Sequence, residues 1–135
     1  MRVSAILLTV ALTLSGTAVH AAPRDPEANL ARALEGRVAG KPVDCIHLRD
    51  IHSSEIFDST AILYQTTNGT YYVNRPRSGA RFLDRNDVLV TDTHSTDLCS
   101  IDIVRLVNSG SNFPDGSVGL GKFVPYNRPP KPHRH

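Results

Sequence analysis

Cysteine is scarce in this chain: Cys45 and Cys99 are the only two among 135 residues. Two thiols cannot build a four-thiolate zinc site, nor the staples of a knottin-like scaffold. A charge excess is also missing, since 15 Lys and Arg face 13 Asp and Glu for a formal +2. A dedicated nucleic-acid binder usually shows a strong basic surplus. No apolar run approaches the roughly 20 residues that cross a bilayer as a helix. There is no Gly-x-Ser-x-Gly elbow for a serine hydrolase. The glutamates are Glu27, Glu35 and Glu55 alone, which makes no case for a paired-carboxylate glycosidase. What remains is a chain that is 40% hydrophobic, too apolar to be wholly disordered and long enough for one domain.

The N-terminus carries the clearest pattern. Arg2 supplies a positive start, residues 5–14 (AILLTVALTL) form a short apolar stretch, and Ser15-Gly16-Thr17 breaks it. Val19-His20-Ala21 then offers small residues where a signal peptidase reads. The pattern predicts a signal peptide over residues 1–21, cleaved before Ala22, and a periplasmic or secreted product with no membrane span. An oxidising compartment favours pairing of Cys45 with Cys99. Closing a loop of roughly 55 residues would stabilise the fold by about 4 kcal/mol in the chain-entropy account.

The mature chain divides into a single small domain over residues 22–126 and a Pro-rich basic tail over 127–135, expected to be extended and mobile. Within residues 22–40, Asp25 is a candidate N-cap and Pro26 suits the first helical position. Leu30, Leu34 and Val38 make one narrow apolar stripe at i, i+4 and i+8, and Gly36 or Gly40 can end the helix. Strand patterns follow over 43–48, 55–57, 61–66, 70–74, 88–91, 98–99 and 102–107. Asn68-Gly69 between two β-prone runs predicts a tight hairpin with both turn residues at positive φ. That hairpin accounts for Asn68-Gly69-Thr70 without invoking its match to a glycosylation sequon. The run 103–107 predicts burial on both faces for part of its length. Residues 117–124 suggest a closing strand weakened by Gly119 and Gly121. The predicted fold class is α+β, mainly β. An N-terminal helix packs on one small antiparallel sheet of about six strands, curled or partly closed, with one disulfide.

Several segments taken in order, AGKPVDCI at 39–46, YVNRP at 72–76, LC at 98–99 with DIV at 102–104, and GKFVPY at 121–126, resemble a family of small exported proteobacterial proteins. The resemblance spans residues 34–126. It implies a periplasmic protein and brings no catalytic residues with it. Some relatives carry two further cysteines near the positions of Ala80 and Val118; their joint absence here implies that Cys45 is left to pair with Cys99.

Candidate chemistry is thin. His47, Asp50 and His52 are close in sequence, as are Asp92 and His94. Five residues separate His47 from His52, which places them on opposite faces of a strand. Asp92 and His94 share a face but are two ligands only. His47, His52, Asp92 and His94 are therefore weak metal candidates, as is His133-Arg134-His135 in the tail, and no cofactor is indicated. Arg75, Arg77, Arg81 and Arg85 could form a patch for an anionic envelope component or another protein. Export argues against nucleic acid as the partner. The expectation is a non-catalytic exported binding module. The alternatives are a small metal-binding protein or hydrolase, and a periplasmic enzyme inhibitor presenting Arg77-Ser78-Gly79. The partner and the oligomeric state are not legible.

Overall fold

The computed structural model describes residues 25–132. The predicted leader and His133-Arg134-His135 lie outside those residues. The helix α1 runs over Pro26–Ala33. Asp25 caps it by accepting from the Glu27 amide at 3.0 Å, and Pro26 opens the first turn. The helix is shorter than the apolar stripe predicted. It stops before Leu34, the chain turns through Gly36 at φ 76°, and Val38 lies on strand β1 (Val38–Ala39), 61% exposed.

Nine more strands follow: β2 (Cys45–His47), β3 (Ile51–Phe57), β4 (Ala61–Thr66), β5 (Tyr71–Asn74), β6 (Asp87–Thr91), β7 (Asp97–Cys99), β8 (Ile103–Asn108), β9 (Pro114–Gly119) and β10 (Phe123–Asn127). The mainly-β class, the single helix and the antiparallel pairing agree with the sequence. The single sheet of about six strands does not. The strands form three sheets, in the orders β1-β10-β5-β4-β3, β2-β7 and β6-β8-β9, and the assembly is not closed. The strands not expected are β1, whose two residues are too few to register as a hydrophobic period, and the division of 117–124 between two separate strands, β9 and β10.

The largest correction concerns residues 117–124. They are the end of β9 and the start of β10, which belong to different sheets. The glycines mark the crossing. A β-carbon on Gly119 would sit 2.4 Å from Ser78 Oγ, and one on Gly121 would sit 2.3 Å from the Arg75 carbonyl oxygen. The 75–78 loop therefore lies directly against the chain as it changes sheets. Asn74, fully buried on β5, locks this crossing: its amide donates to the Gly121 carbonyl (2.7 Å) and its oxygen accepts from the Gly121 N–H (3.0 Å).

The Asn68-Gly69 hairpin forms between β4 and β5, but not as a two-residue turn. Only Gly69 has positive φ, 88°; Asn68 does not. The Gly69 N–H donates to the Thr66 carbonyl, and Asn68 Oδ1 accepts from the Thr66 hydroxyl and the Thr70 amide. This is the longer loop in which a left-handed glycine follows an ordinary turn. Strand β8 is likewise simpler than expected. Val104 and Leu106 are buried while Ile103 is 63% exposed, so one face alone meets the core.

The five-stranded sheet is buried on both sides. One face carries Ala61, Leu63 and Val73, packed with Leu30 of α1 and Phe57. The other presents Ile62, Tyr64 and Phe123 to Val104, Leu106 and Val118 of the three-stranded sheet, with Ile46 and Leu98 of the β2–β7 ribbon in the same cluster. Double burial explains the almost uninterrupted apolar run of β4. Cys45 and Cys99 are bonded, as predicted, and tie the ribbon across a sequence separation of 54. Their Cα atoms are 4.0 Å apart at a site where the two strands exchange no backbone hydrogen bond, the closer of the two antiparallel pair types. Among the described residues no helix is long and apolar enough to cross a membrane.

Candidate functional site

Three elements converge on a cleft of about 790 Å³. Pro26, Asn29 and Arg32 approach from α1, Ser54 to Asp58 from β3 and its turn, and Arg85 to Leu89 from the start of β6. Cavities of roughly 300–1,000 Å³ are typical of ligand sites. Here the walls are the outermost strands of two different sheets, because β3 ends the five-stranded sheet and β6 ends the three-stranded one.

Local chemistry fixes the floor. The β3–β4 turn bends through Ser59 at φ 52°. Its amide donates to the Leu83 carbonyl at 3.0 Å, so the turn is pinned to the segment that leads into β6. Asp58 strengthens the joint, accepting from the Arg85 amide (2.7 Å) and pairing with its guanidinium (3.2 Å). Asp84 Oδ1 accepts from the Asn86 amide at 2.8 Å and shapes the entry to β6.

Asp87 is the least satisfied group on the cleft. Both of its carboxylate oxygens are out of contact with solvent and, among the described residues, have no hydrogen-bond partner in good geometry. Burial pushes its pKa above the ordinary carboxylate value, and the charges of Asp115 and Asp84 push the same way; Asn108, its cross-strand neighbour, offsets part of this. An exposed Glu55 adds a further negative charge on the β3 side. On α1, Arg32 donates to Asn29 Oδ1 at 2.6 Å.

The four arginines named from sequence are engaged one by one. Arg75 makes a two-pronged pair with Glu27, at 3.1 and 2.5 Å, which holds the Glu27 pKa down. Arg85 is on Asp58. The Arg81 guanidinium stacks 4.4 Å over the Phe82 ring. Arg77 reaches the Ile101 carbonyl at 3.5 Å, while its amide and that of Ser78 bond to Gly119. Of the four, Arg85 alone lines the cleft.

The metal candidates are dispersed as well. His47 Nδ1 contacts Asp97 Oδ1 across the ribbon, and His52 Nδ1 lies 3.0 Å from the Gln65 carbonyl. Among the described residues no three His, Cys, Asp or Glu side chains come together as a metal site. The His47–Asp97 pair was within reach of sequence reasoning. A Cys45–Cys99 bridge between antiparallel strands puts residue 47 opposite residue 97 on the same face. A smaller cavity of about 410 Å³ lies beside His47, Leu48, Arg49 and Thr96. Glu55 and Asp87 were missed because their importance comes from which strands end up outermost, and no local pattern encodes that. Comparison with protein-family models, with curated proteins and with solved structures finds no match to this chain.

Proposed function

We propose that this chain is an exported, soluble binding module of the periplasm or cell envelope, and that the cleft between α1, β3 and β6 is its ligand site. The observation that carries this reading is the cleft itself: a ligand-sized recess whose walls combine two outermost strands with an unpartnered carboxylate. The disulfide supports export, since such bonds persist in oxidising compartments. A metal-binding or hydrolytic role centred on His47, His52, Asp92 and His94 draws less support, because His47 is already on Asp97 and His52 on a backbone carbonyl. An inhibitory loop at Arg77-Ser78-Gly79 draws less too, since that loop is strapped to Gly119. Nor do the arginines offer a free anion-binding patch while Glu27 and Asp58 occupy Arg75 and Arg85.

The test is site-specific photo-cross-linking in Gram-negative envelope extract. A cross-linking residue at Glu55, inside the cleft, is expected to capture a discrete partner that the same residue at Ile101, outside it, does not. Equal capture at both positions, or none at Glu55, would overturn the assignment.

A further inference from the structure

Resting on the cleft reading, we infer that its occupant is an extended polypeptide segment that adds as a strand to β6 and places a basic side chain at Asp87. The argument begins with backbone groups. In an antiparallel pair, hydrogen-bonded and non-hydrogen-bonded residues alternate. The Ser109 amide donates to the Asn86 carbonyl at 3.1 Å, which sets the phase of the β6–β8 ladder. Val88 and Val90 then exchange bonds with Val107 and Arg105, while Leu89 and Thr91 turn their N–H and C=O groups away from β8. The same logic applies to β3. The Thr66–Thr70 bond sets the phase of β4 against β5, and through it the outward groups of β3 are those of Ser54 and Ile56. Among the described residues no hydrogen bond reaches the backbone of Ser54, Ile56, Leu89 or Thr91 from outside its own sheet. Ser54, Ile56 and Leu89 line the cleft, so two unfilled rows of donors and acceptors border it, the β6 row running on past it to Thr91. The ligand with the matching repeat is another extended main chain.

Of the two edges, β6 is the better template. Edge strands are usually blunted by bulges, charge, proline or a covering element. β3 shows three of these: a register shift between Ile51 and Ser53, the charge of Glu55, and α1 beside it. β6 (DVLVT) shows an unbroken register, four branched or apolar residues in a row after the single charge of Asp87, and no proline or lysine. Its Val88 is half exposed. Charge then narrows the peptide. Among the described residues no cation stands beside Asp87, Asn108 offsets its burial only in part, and Asp84 and Asp115 stand near it, so a lysine or arginine relieves both the desolvation and the mutual repulsion, whereas an acidic residue worsens them. The chain's own tail is a poor occupant despite its basic residues, because Pro129, Pro130 and Pro132 cannot donate to a ladder.

The test uses the oxidised protein, labelled with ¹⁵N, and a synthetic seven-residue peptide of alternating Thr and Val with a central Lys. Expected are slowed amide exchange at Leu89 and Thr91 on binding, and affinity about tenfold weaker when the central Lys is replaced by Glu. Affinity should also fall by about tenfold or more when alternate peptide amides are N-methylated, which removes the ladder donors. Asp87→Asn should erase the Lys preference. Thr91→Pro should weaken binding while leaving the β6–β8 ladder and the melting temperature nearly intact, since that amide points outward. Equal binding of the N-methylated peptide would overturn strand addition and leave the cleft as the ligand site. Persistence of the Lys preference in Asp87→Asn would overturn the charge assignment. No binding at about 5 mM peptide, a free energy near −3 kcal/mol, would overturn the inference without touching the Glu55 cross-linking result. Dimerisation abolished by Thr91→Pro would give the edge to a second copy and overturn it as well.

Discussion

Tyr64 offers the sharpest check on the core. Its side chain is 3% exposed, its ring lies 5.8 Å from that of Phe123 at a tilt of 59°, and its hydroxyl has no hydrogen-bond partner among the described residues. Burial alone pushes the phenol pKa upward. A buried hydroxyl left without a partner costs about 1–3 kcal/mol relative to hydration. Tyr64→Phe removes that oxygen and keeps the ring, so the contact with Phe123 persists and the vacated space is smaller than a methyl group. The variant is expected to gain about 1 kcal/mol of stability, which for a domain of this size raises the melting temperature by roughly 4–8 °C. Urea unfolding of the oxidised protein should show a higher midpoint with an unchanged slope. Tyr72→Phe, at a half-buried tyrosine on the neighbouring strand, serves as the control and should move stability by less than about 0.5 kcal/mol. If Tyr64→Phe instead destabilises by about 1 kcal/mol, the hydroxyl is satisfied and the proposed packing around Tyr64 is wrong.

Three further outcomes follow from the same reasoning. Asp87→Asn should stabilise the protein near neutral pH, because a carboxyl whose pKa is raised in the fold penalises the native state wherever it is ionised. That penalty disappears as the pH falls below the ordinary value of 3.8, so the stability curves of wild type and variant should converge in acid; a constant difference at all pH values would refute the ionic cause. Asn74→Ala strips two partners from Gly121 at once and should cost about 3 kcal/mol by chemical unfolding, while Asn74→Asp, which sets a carboxylate against the Gly121 carbonyl, should cost no less. Replacing Cys45 and Cys99 together by Ser should lower stability by about 4 kcal/mol, and intact-mass analysis of the protein recovered from a periplasmic fraction should show a chain beginning at Ala22 with two hydrogens fewer than the reduced form.

Some of this fold was legible because the signals were local. The Asp25-Pro26-Glu27 start of α1 needs only three adjacent residues. The apolar run of β4 declares a strand by length and branching. The Cys45–Cys99 bridge needs only a count and a compartment. Other features depend on what comes from elsewhere in the chain. Gly119 and Gly121 read as flaws in a strand until the 75–78 loop is seen lying against them. Asn68-Gly69 marks a turn, but the choice between a two-residue and a longer loop is made by Thr66 and Thr70, which donate to the Asn68 side chain. Leu34 and Val38 continued the helical stripe on paper, yet the chain leaves the helix before them to let β1 reach β10.

The candidate site was the least legible part for the same reason. His47, the arginines and the tail stand out because they are rare or charged, and the fold gives most of them ordinary partners: Asp97 for His47, Glu27 for Arg75, Asp58 for Arg85. Among the described residues, what the fold leaves without partners around the cleft is plain backbone at Ser54, Ile56, Leu89 and Thr91 and one aspartate at Asp87. A backbone group is unsatisfied only in relation to a sheet edge, and an edge exists only after every other strand has found its neighbour. Because Gly119 to Phe123 carries the chain from one sheet to the other, the two sheets are joined on that side and left apart between β3 and β6. The crossing that closes one side of the core thus leaves the opposite edges facing a shared gap. If Gly119→Ala, which forces a β-carbon against Ser78, loosened the crossing without altering amide exchange at Leu89 and Thr91, the two features would be independent and this account of the gap would fail.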